Sequence, residues 1–300
     1  MFQHILVPLD GSRLAEAALP VAATLASKLG SSLTLVHVIE KDPPQQIHHE
    51  RHLTTVPEAA AYLERVARES LPGQVKVQTH VHTAAVSDVA RSIVEHTHEF
   101  QPDLIVMCPH GRPGPRDVLF GSIAQQVIAT GATPVLLVQP EAPSPGDDLL
   151  CSTILVPLDT DPEHARALPI AAELARPCGA SLHLMTVVPT AQTLAGHQAA
   201  TARLLPGAMR AALDLDQAAA ETYLEEQAKS LAPSAIKVTV ESARGDPATE
   251  IVRAAERARA RLIVMAVHGT LGTQAFWARS VPPKVASRTS VPVMLVPIHN

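Results

Sequence analysis

A hexapeptide occurs twice in this chain, and so does everything that follows it. Ile5-Leu6-Val7-Pro8-Leu9-Asp10 recurs as Ile154-Leu155-Val156-Pro157-Leu158-Asp159. Leu104-Ile105-Val106-Met107 recurs as Leu262-Ile263-Val264-Met265, and His110-Gly111 as His268-Gly269. A proline followed by a short apolar run closes each half, at Pro134–Val138 and Pro292–Val296. The order is the same in both halves and the spacing nearly so. In a chain of 300 residues a period of about half the length means a duplicated domain, not a short-repeat solenoid. The stretch 139–148 carries Pro140, Pro143, Pro145 and Gly146 and has the composition of a linker. Domains are therefore expected at 1–140 and 151–300, joined by 141–150.

Within each half, short apolar runs alternate with Ala- and Leu-rich segments of helical spacing. In the first half the expected strands lie near Ile5–Pro8, Leu33–Val38, Val75–Val81, Leu104–Cys108 and Val135–Val138. Such alternation predicts an α/β fold, a parallel sheet covered on both faces by helices. Right-handed crossovers leave few topologies. We expect two tandem doubly wound domains, each a five-stranded parallel sheet of order 3-2-1-4-5. Aromatic residues make up only 2% of the chain, so the core must be aliphatic, which suits buried parallel strands. Ligands of such a sheet sit outside the carboxyl ends of the strands, where the strand order reverses. That rule brings Asp10, at the end of strand one, beside the loop after strand four.

The loop runs from Cys108 through His110, Gly111 and Arg112 to Gly121 and Ser122, with a helix expected from about Ile123. Glycines let backbone approach a ligand closely, and the free N–H groups of a helix start attract phosphate. Ser122 is placed to cap that helix or to offer its hydroxyl to a phosphate oxygen. An ordinary glycine-containing turn with a serine cap has the same spacing.

The segment Ile105 to Val138 resembles the universal stress protein family. Nucleotide-binding members carry Gly, two residues, Gly, nine residues, Gly, then Ser or Thr; here Gly111, nine residues, Gly121 and Ser122 match that pattern. Val7-Pro8-Leu9-Asp10-Gly11-Ser12 resembles the family's first-strand signature, and the likeness covers both halves. It departs at one position, where the family's first loop glycine is replaced by Cys108. The resemblance implies a regulatory protein binding ATP or a related adenine nucleotide, with Mg as its companion ion. By the same resemblance Asp10 faces the adenine or ribose end and Val38 lines the base pocket. Gly111, Gly121 and Ser122 hold ribose and phosphates, the Ile123 amide adds a donor, and His110 is placed for direct ligand contact. Without the resemblance, Asp10 reads as a strand-end residue that caps the next helix.

The second half has lost most of the motif. Ala266 and Arg279 stand where glycines would, leaving Gly269 and Ser280; Asp159, Val187, Gly269, Arg279 and Ser280 are its weak candidates. Arg279 would occupy phosphate space, or bind an anion with its own fork of donors. No phosphate-loop lysine motif, HExxH or GxSxG elbow is present, so an enzyme is not expected. A weak ATPase and an interaction module without nucleotide are the competing readings. His48, His49 and His52 cluster after strand two; on a helix, His48 and His52 would lie one turn apart and could share a metal. His80 and His82 alternate on a strand and share a face.

A net charge of -5 with no long Lys/Arg run argues against nucleic acid. No apolar stretch approaches the length of a bilayer span. The N-terminus runs straight into a strand-like segment and the three cysteines are scattered, so a cytoplasmic protein is expected. Strand five is an edge in the 3-2-1-4-5 order, yet it is wholly apolar in both halves and lacks the charges that protect edges. Each therefore needs a cover, and the resemblance supplies one, since single domains of the family pair through this strand across a twofold axis. It implies that 134–138 and 292–296 pair antiparallel as an intramolecular pseudo-dimer. Two independent domains on a flexible tether are the alternative, and a homo-oligomer is also open.

Overall fold

The computed structural model describes residues 2–109, 121–140, 152–194, 196–268 and 280–298. The expected linker at 141–150, His110, Gly111, Gly269 and Arg279 lie outside the described residues. By contact the chain divides into two units, Met1–Leu149 with Val267–Asn300, and Leu150–Ala266.

In the first unit, β1 (His4–Pro8) leads through α1 (Arg13–Glu16) and α2 (Leu19–Leu29) to β2 (Ser32–Glu40). A small hairpin, β3 (Gln46–Ile47) and β4 (Glu50–Arg51), precedes α3 (Val56–Ser70) and β5 (Val77–Val86). Then come α4 (Val89–Phe100), β6 (Leu104–Met107), α5 (Ser122–Thr130) and β7 (Val135–Leu137). The second unit holds β8 (Thr153–Pro157), α6 (Ala167–Ala175), β9 (Ser181–Val188), α7 (Gly196–Leu204) and α8 (Pro206–Leu231). It continues with β10 (Val238–Arg244), α9 (Pro247–Arg257) and β11 (Ala260–His268). The chain returns to the first unit at Val267, near the end of β11, and goes on to α10 (Val281–Arg288) and β12 (Val293–Ile298).

Strands of the first unit run in the order β5-β2-β1-β6-β7, which is the expected 3-2-1-4-5. All of these neighbours are parallel. β12 adds to β7 antiparallel, with Val293 opposite Leu137, Met294 opposite Leu136 and Leu295 opposite Val135. All six side chains are buried, so the apolar strand that needed a cover has one. The second unit repeats the first four strands of the order, β10-β9-β8-β11, all parallel.

The core is aliphatic. Ile5, Leu6, Leu33, Leu35, Leu104, Ile105 and Leu136 are fully buried, each side chain contributing about 1.5–3 kcal/mol. Small residues bring helix to sheet: Ala22, Ala23 and Ala26 of α2, and Ala171, Ala172 and Ala175 of α6, are all buried. Several helix starts are closed by side chains. Thr55 accepts from the Glu58 amide, which caps α3, and donates its hydroxyl to the Glu58 carboxylate. Asp88 accepts from the Arg91 amide at 2.9 Å, and Asp246 from the Thr249 amide at 3.0 Å. The N-cap residues of α5 and α10, Gly121 and Ser280, make no side-chain cap bond. Among the described residues no helix is long and apolar enough to cross a membrane.

Candidate functional site

The strand order of the first unit reverses between β1 and β6, and a cavity opens at their carboxyl ends. It has a volume of about 860 Å³, within the range of small-molecule sites. The end of β1 contributes Leu9 and Asp10, β2 contributes Val36, His37 and Val38, and the end of β6 contributes Met107 and Cys108. Opposite them stand Val89 and Ile93 of α4 and the start of α5, Gly121, Ser122, Ile123 and Ala124. The fold thus gathers Asp10, Val38, Cys108, Gly121, Ser122 and Ile123 around one space.

Asp10 does not cap a helix directly. Its Oδ1 accepts from the Ser12 amide at 2.9 Å and from the Ser12 hydroxyl at 2.7 Å. Ser12 Oγ in turn accepts from the Ala15 amide and caps α1. The carboxylate is therefore held in a fixed pose at the cavity edge. Val38 is buried in the wall. Cys108 is also buried, and desolvation, with a smaller push from the Asp10 charge, raises its thiol to about 12. It stays protonated near neutral pH and is neither a thiolate nucleophile nor a ready metal ligand.

Gly121 is itself the cap of α5, in extended backbone, and Ser122 is the first helical residue. This corrects the expectation that Ser122 caps the helix. With no cap side chain, the first-turn amides of α5 face outward at the cavity and carry the positive end of the helix dipole. Ser122 is exposed beside them, as is Ile123 at 37%.

The stretch after β2, considered above as a helix, is the β3–β4 hairpin. Gln46 pairs with Arg51 and Ile47 with Glu50, and His48 and His49 form the two-residue turn, at φ 50° and 68°. Both central residues at positive φ give the twist that suits a tight hairpin, although the usual Asn-Gly is absent. His48 and His52 are therefore not one helical turn apart. His52 is buried, with Nε2 3.8 Å from Glu40 Oε2. Both sides of the hairpin reach the cavity, through Gln46, Ile47, His48, His49 and His52. His37, missed in the sequence, backs this wall. Its Nδ1 donates to the Leu9 carbonyl at 2.8 Å, and burial outweighs that bond to hold its pKa below the usual imidazole value. The hairpin wall could not be read from periodicity, because two-residue strands carry no period.

In the second unit, Asp159 follows β8 as Asp10 follows β1, but its surroundings differ. His164 Nδ1 lies 2.8 and 2.7 Å from the two Asp159 oxygens, and the Asp161 amide donates to Oδ1 at 3.0 Å. Burial raises the Asp159 pKa, but the His164 bond and charge win and hold it below the usual value. The same hydrogen bond raises His164. Val187 is half-buried on β9. Ser280 precedes α10 without a side-chain cap bond.

The family model of the universal stress proteins matches residues 1–139 and again 151–297. The universal stress protein Sll1654 of Synechocystis sp. is 34% identical over 138 residues, covering 46% of this chain and 86% of that protein. The universal stress protein MJ0531 of Methanocaldococcus jannaschii is 28% identical over 144 residues, covering 46% of this chain and 83% of its own length. Among solved structures, a universal stress protein from Archaeoglobus fulgidus shares the fold with a TM-score of 0.70 at 20% identity, over 98% of this chain and 96% of that one. A second, from Pseudomonas aeruginosa, has a TM-score of 0.61 at 16% identity, over 99% and 93%. Two family matches in tandem, on a sheet of the expected order, establish that this chain belongs to the universal stress protein family.

Proposed function

We propose that this protein is a stress-response regulator that holds an adenine nucleotide, ATP or a close relative, in the cavity of the first unit as a bound signal. The observation that carries the reading is the convergence of an apolar slot, a fixed carboxylate and an uncapped helix start on one space. Val38, Ile93 and Met107 offer apolar surface to a base, and Asp10 offers an acceptor to a ribose hydroxyl. The first-turn amides of α5 and the Ser122 hydroxyl offer donors to phosphate. His110 and Gly111 join them by the motif alone. Cys108 narrows the wall where the family has glycine, and the remaining volume still suits a nucleotide. A magnesium ion would arrive with the phosphates.

The second repeat serves a structural or sensing role in this reading. Asp159 is already engaged by His164, and Arg279 replaces the glycine that a phosphate would need. The antiparallel register of β7 with β12 supports an intramolecular pseudo-dimer through strand five, the route by which nucleotide occupancy in one repeat would reach the other. Turnover is not expected, because the sequence carries no phosphate-loop lysine motif, HExxH or GxSxG elbow. The test is to extract and chromatograph the nucleotide carried by the purified chain, then follow added ATP over time. Bound adenine nucleotide without product formation supports the proposal. Steady ADP release would make the protein a weak ATPase, and a chain that neither carries nor takes up nucleotide would leave an interaction module.

A further inference from the structure

Three histidines meet at the β5 edge of the first unit's sheet, outside the cavity lining. His80 and His82 stand two residues apart on β5, the end strand beside β2, opposite Val36 and Val38. Their shared face meets α4. The His80 and His96 rings lie 4.9 Å apart at 61°, and the His82 and His96 rings 5.0 Å apart at 79°. One ring nitrogen from each of the three can be chosen so that all lie within 4.8 Å of one another. We propose that His80, His82 and His96 form a binding site for one divalent transition-metal ion with a preference for imidazole, zinc being the representative.

The tautomer of His96 fits the assignment. Its Nδ1 donates to the Ser92 carbonyl at 2.6 Å, the outer-shell bond that fixes a ligating imidazole and leaves Nε2 with its lone pair outward. His96 is only 3% exposed, and that Nε2 has no hydrogen-bond partner. A buried polar atom normally has one. A metal ion would satisfy it. Zinc–nitrogen bonds of about 2.0–2.1 Å bring three tetrahedral ligands to about 3.3 Å from one another, so small ring rotations close the site. Glu99 Oε2 lies 4.0 Å from His96 Nε2, one turn along α4, and supplies negative charge and an acceptor for water in the fourth position. Burial and the two neighbouring histidines favour neutral His80, the ligating form, against the opposing pull of Glu99. Phe100 closes the apolar side, 5.0 Å from the His80 ring. The site shares no residue with the proposed nucleotide cavity and does not depend on it.

The test uses the full chain, stripped with chelator and titrated with cobalt(II) and with zinc(II). One ion per chain is expected, with the visible absorption of tetrahedral cobalt. Removing even an outer-shell partner costs about 10–100-fold in affinity, so H80Q and H82Q should each weaken binding at least ~100-fold. Both positions are half-buried, so neither change empties the core. A H48Q/H49Q double variant should bind as the parent does. X-ray absorption of the zinc-loaded parent chain, which needs no variant, should count three imidazoles. No binding by the parent, undiminished binding by H80Q and H82Q, loss of binding in H48Q/H49Q, or fewer than three imidazoles would each overturn the proposal.

Discussion

Replacing Gly11 with alanine should loosen the hairpin that walls the cavity. Gly11 sits at φ 94°, and a Cβ built there falls 2.8 Å from Leu53 Cδ1 and 2.9 Å from Leu53 Cγ. Two costs add. The backbone strain of an L-residue at that φ is about 1–3 kcal/mol, and overpacking against Leu53 is typically about 1–3 kcal/mol. The reduced freedom of the unfolded chain returns about 0.4–1 kcal/mol. The net loss should be about 1–5 kcal/mol. The two costs separate in a double-mutant cycle, because L53A removes the clash and leaves the strain. In the L53A background G11A should cost only about 0–2.5 kcal/mol, a coupling of about 1–3 kcal/mol. Urea unfolding followed by far-ultraviolet circular dichroism measures all four corners. A coupling below about 0.5 kcal/mol would refute the claim that Leu53 is what excludes a side chain at position 11. Since the displaced segment carries the cavity wall, G11A should also weaken nucleotide binding more than it weakens metal binding at His80, His82 and His96.

Other outcomes follow from single contacts. The His164 pKa should lie above 6.5 and fall back toward it in D159N, measured by NMR titration. With His164 raised and Asp159 lowered, the pair stabilises the fold between about pH 3.8 and 6.5; it fades as pH rises through the His164 pKa and as pH falls through the Asp159 pKa. Both groups are partly exposed, so its contribution should stay within about 1 kcal/mol, and a larger D159N effect on stability would contradict the assignment. Leu136, fully buried opposite Met294, should cost about 2–5 kcal/mol on truncation to alanine. A loss under about 1 kcal/mol in urea unfolding would mean that β7 and β12 do not share a packed face.

Much of the fold was legible because its signals are periodic and repeated. Apolar runs such as Leu104–Met107 are strands that must be buried on both faces, and the duplicated order doubled each signal. Crossover handedness narrowed the strand order to a few topologies, and the unprotected edge of β7 called for a cover that the family resemblance placed at β12. That Asp10 and Gly121 would meet at one space was legible because the switch-point rule and the loop motif select the same place; Val38 was named from the family resemblance alone. What stayed hidden was set by contacts rather than period. The β3–β4 hairpin turns on two histidines at positive φ, where sequence rules look for Asn-Gly. The capping role passed from Ser122 to Gly121, since an extended glycine before the helix leaves the serine as its first residue. His96 carries no sign in the sequence of its approach to His80 and His82; only the packing of α4 on the sheet brings the three rings together. Asp159 looked like a copy of Asp10, and His164, five residues on, gave it another partner.

The most direct test of a nucleotide in the first-unit cavity is calorimetric titration of the full chain with ATP and magnesium, alongside G121R. That arginine copies Arg279 of the second repeat and places a guanidinium at the start of α5. We predict one nucleotide per chain for the parent, and loss of binding in G121R with an unchanged circular dichroism spectrum. No binding by the parent, or equal affinity in a folded G121R, would contradict the account.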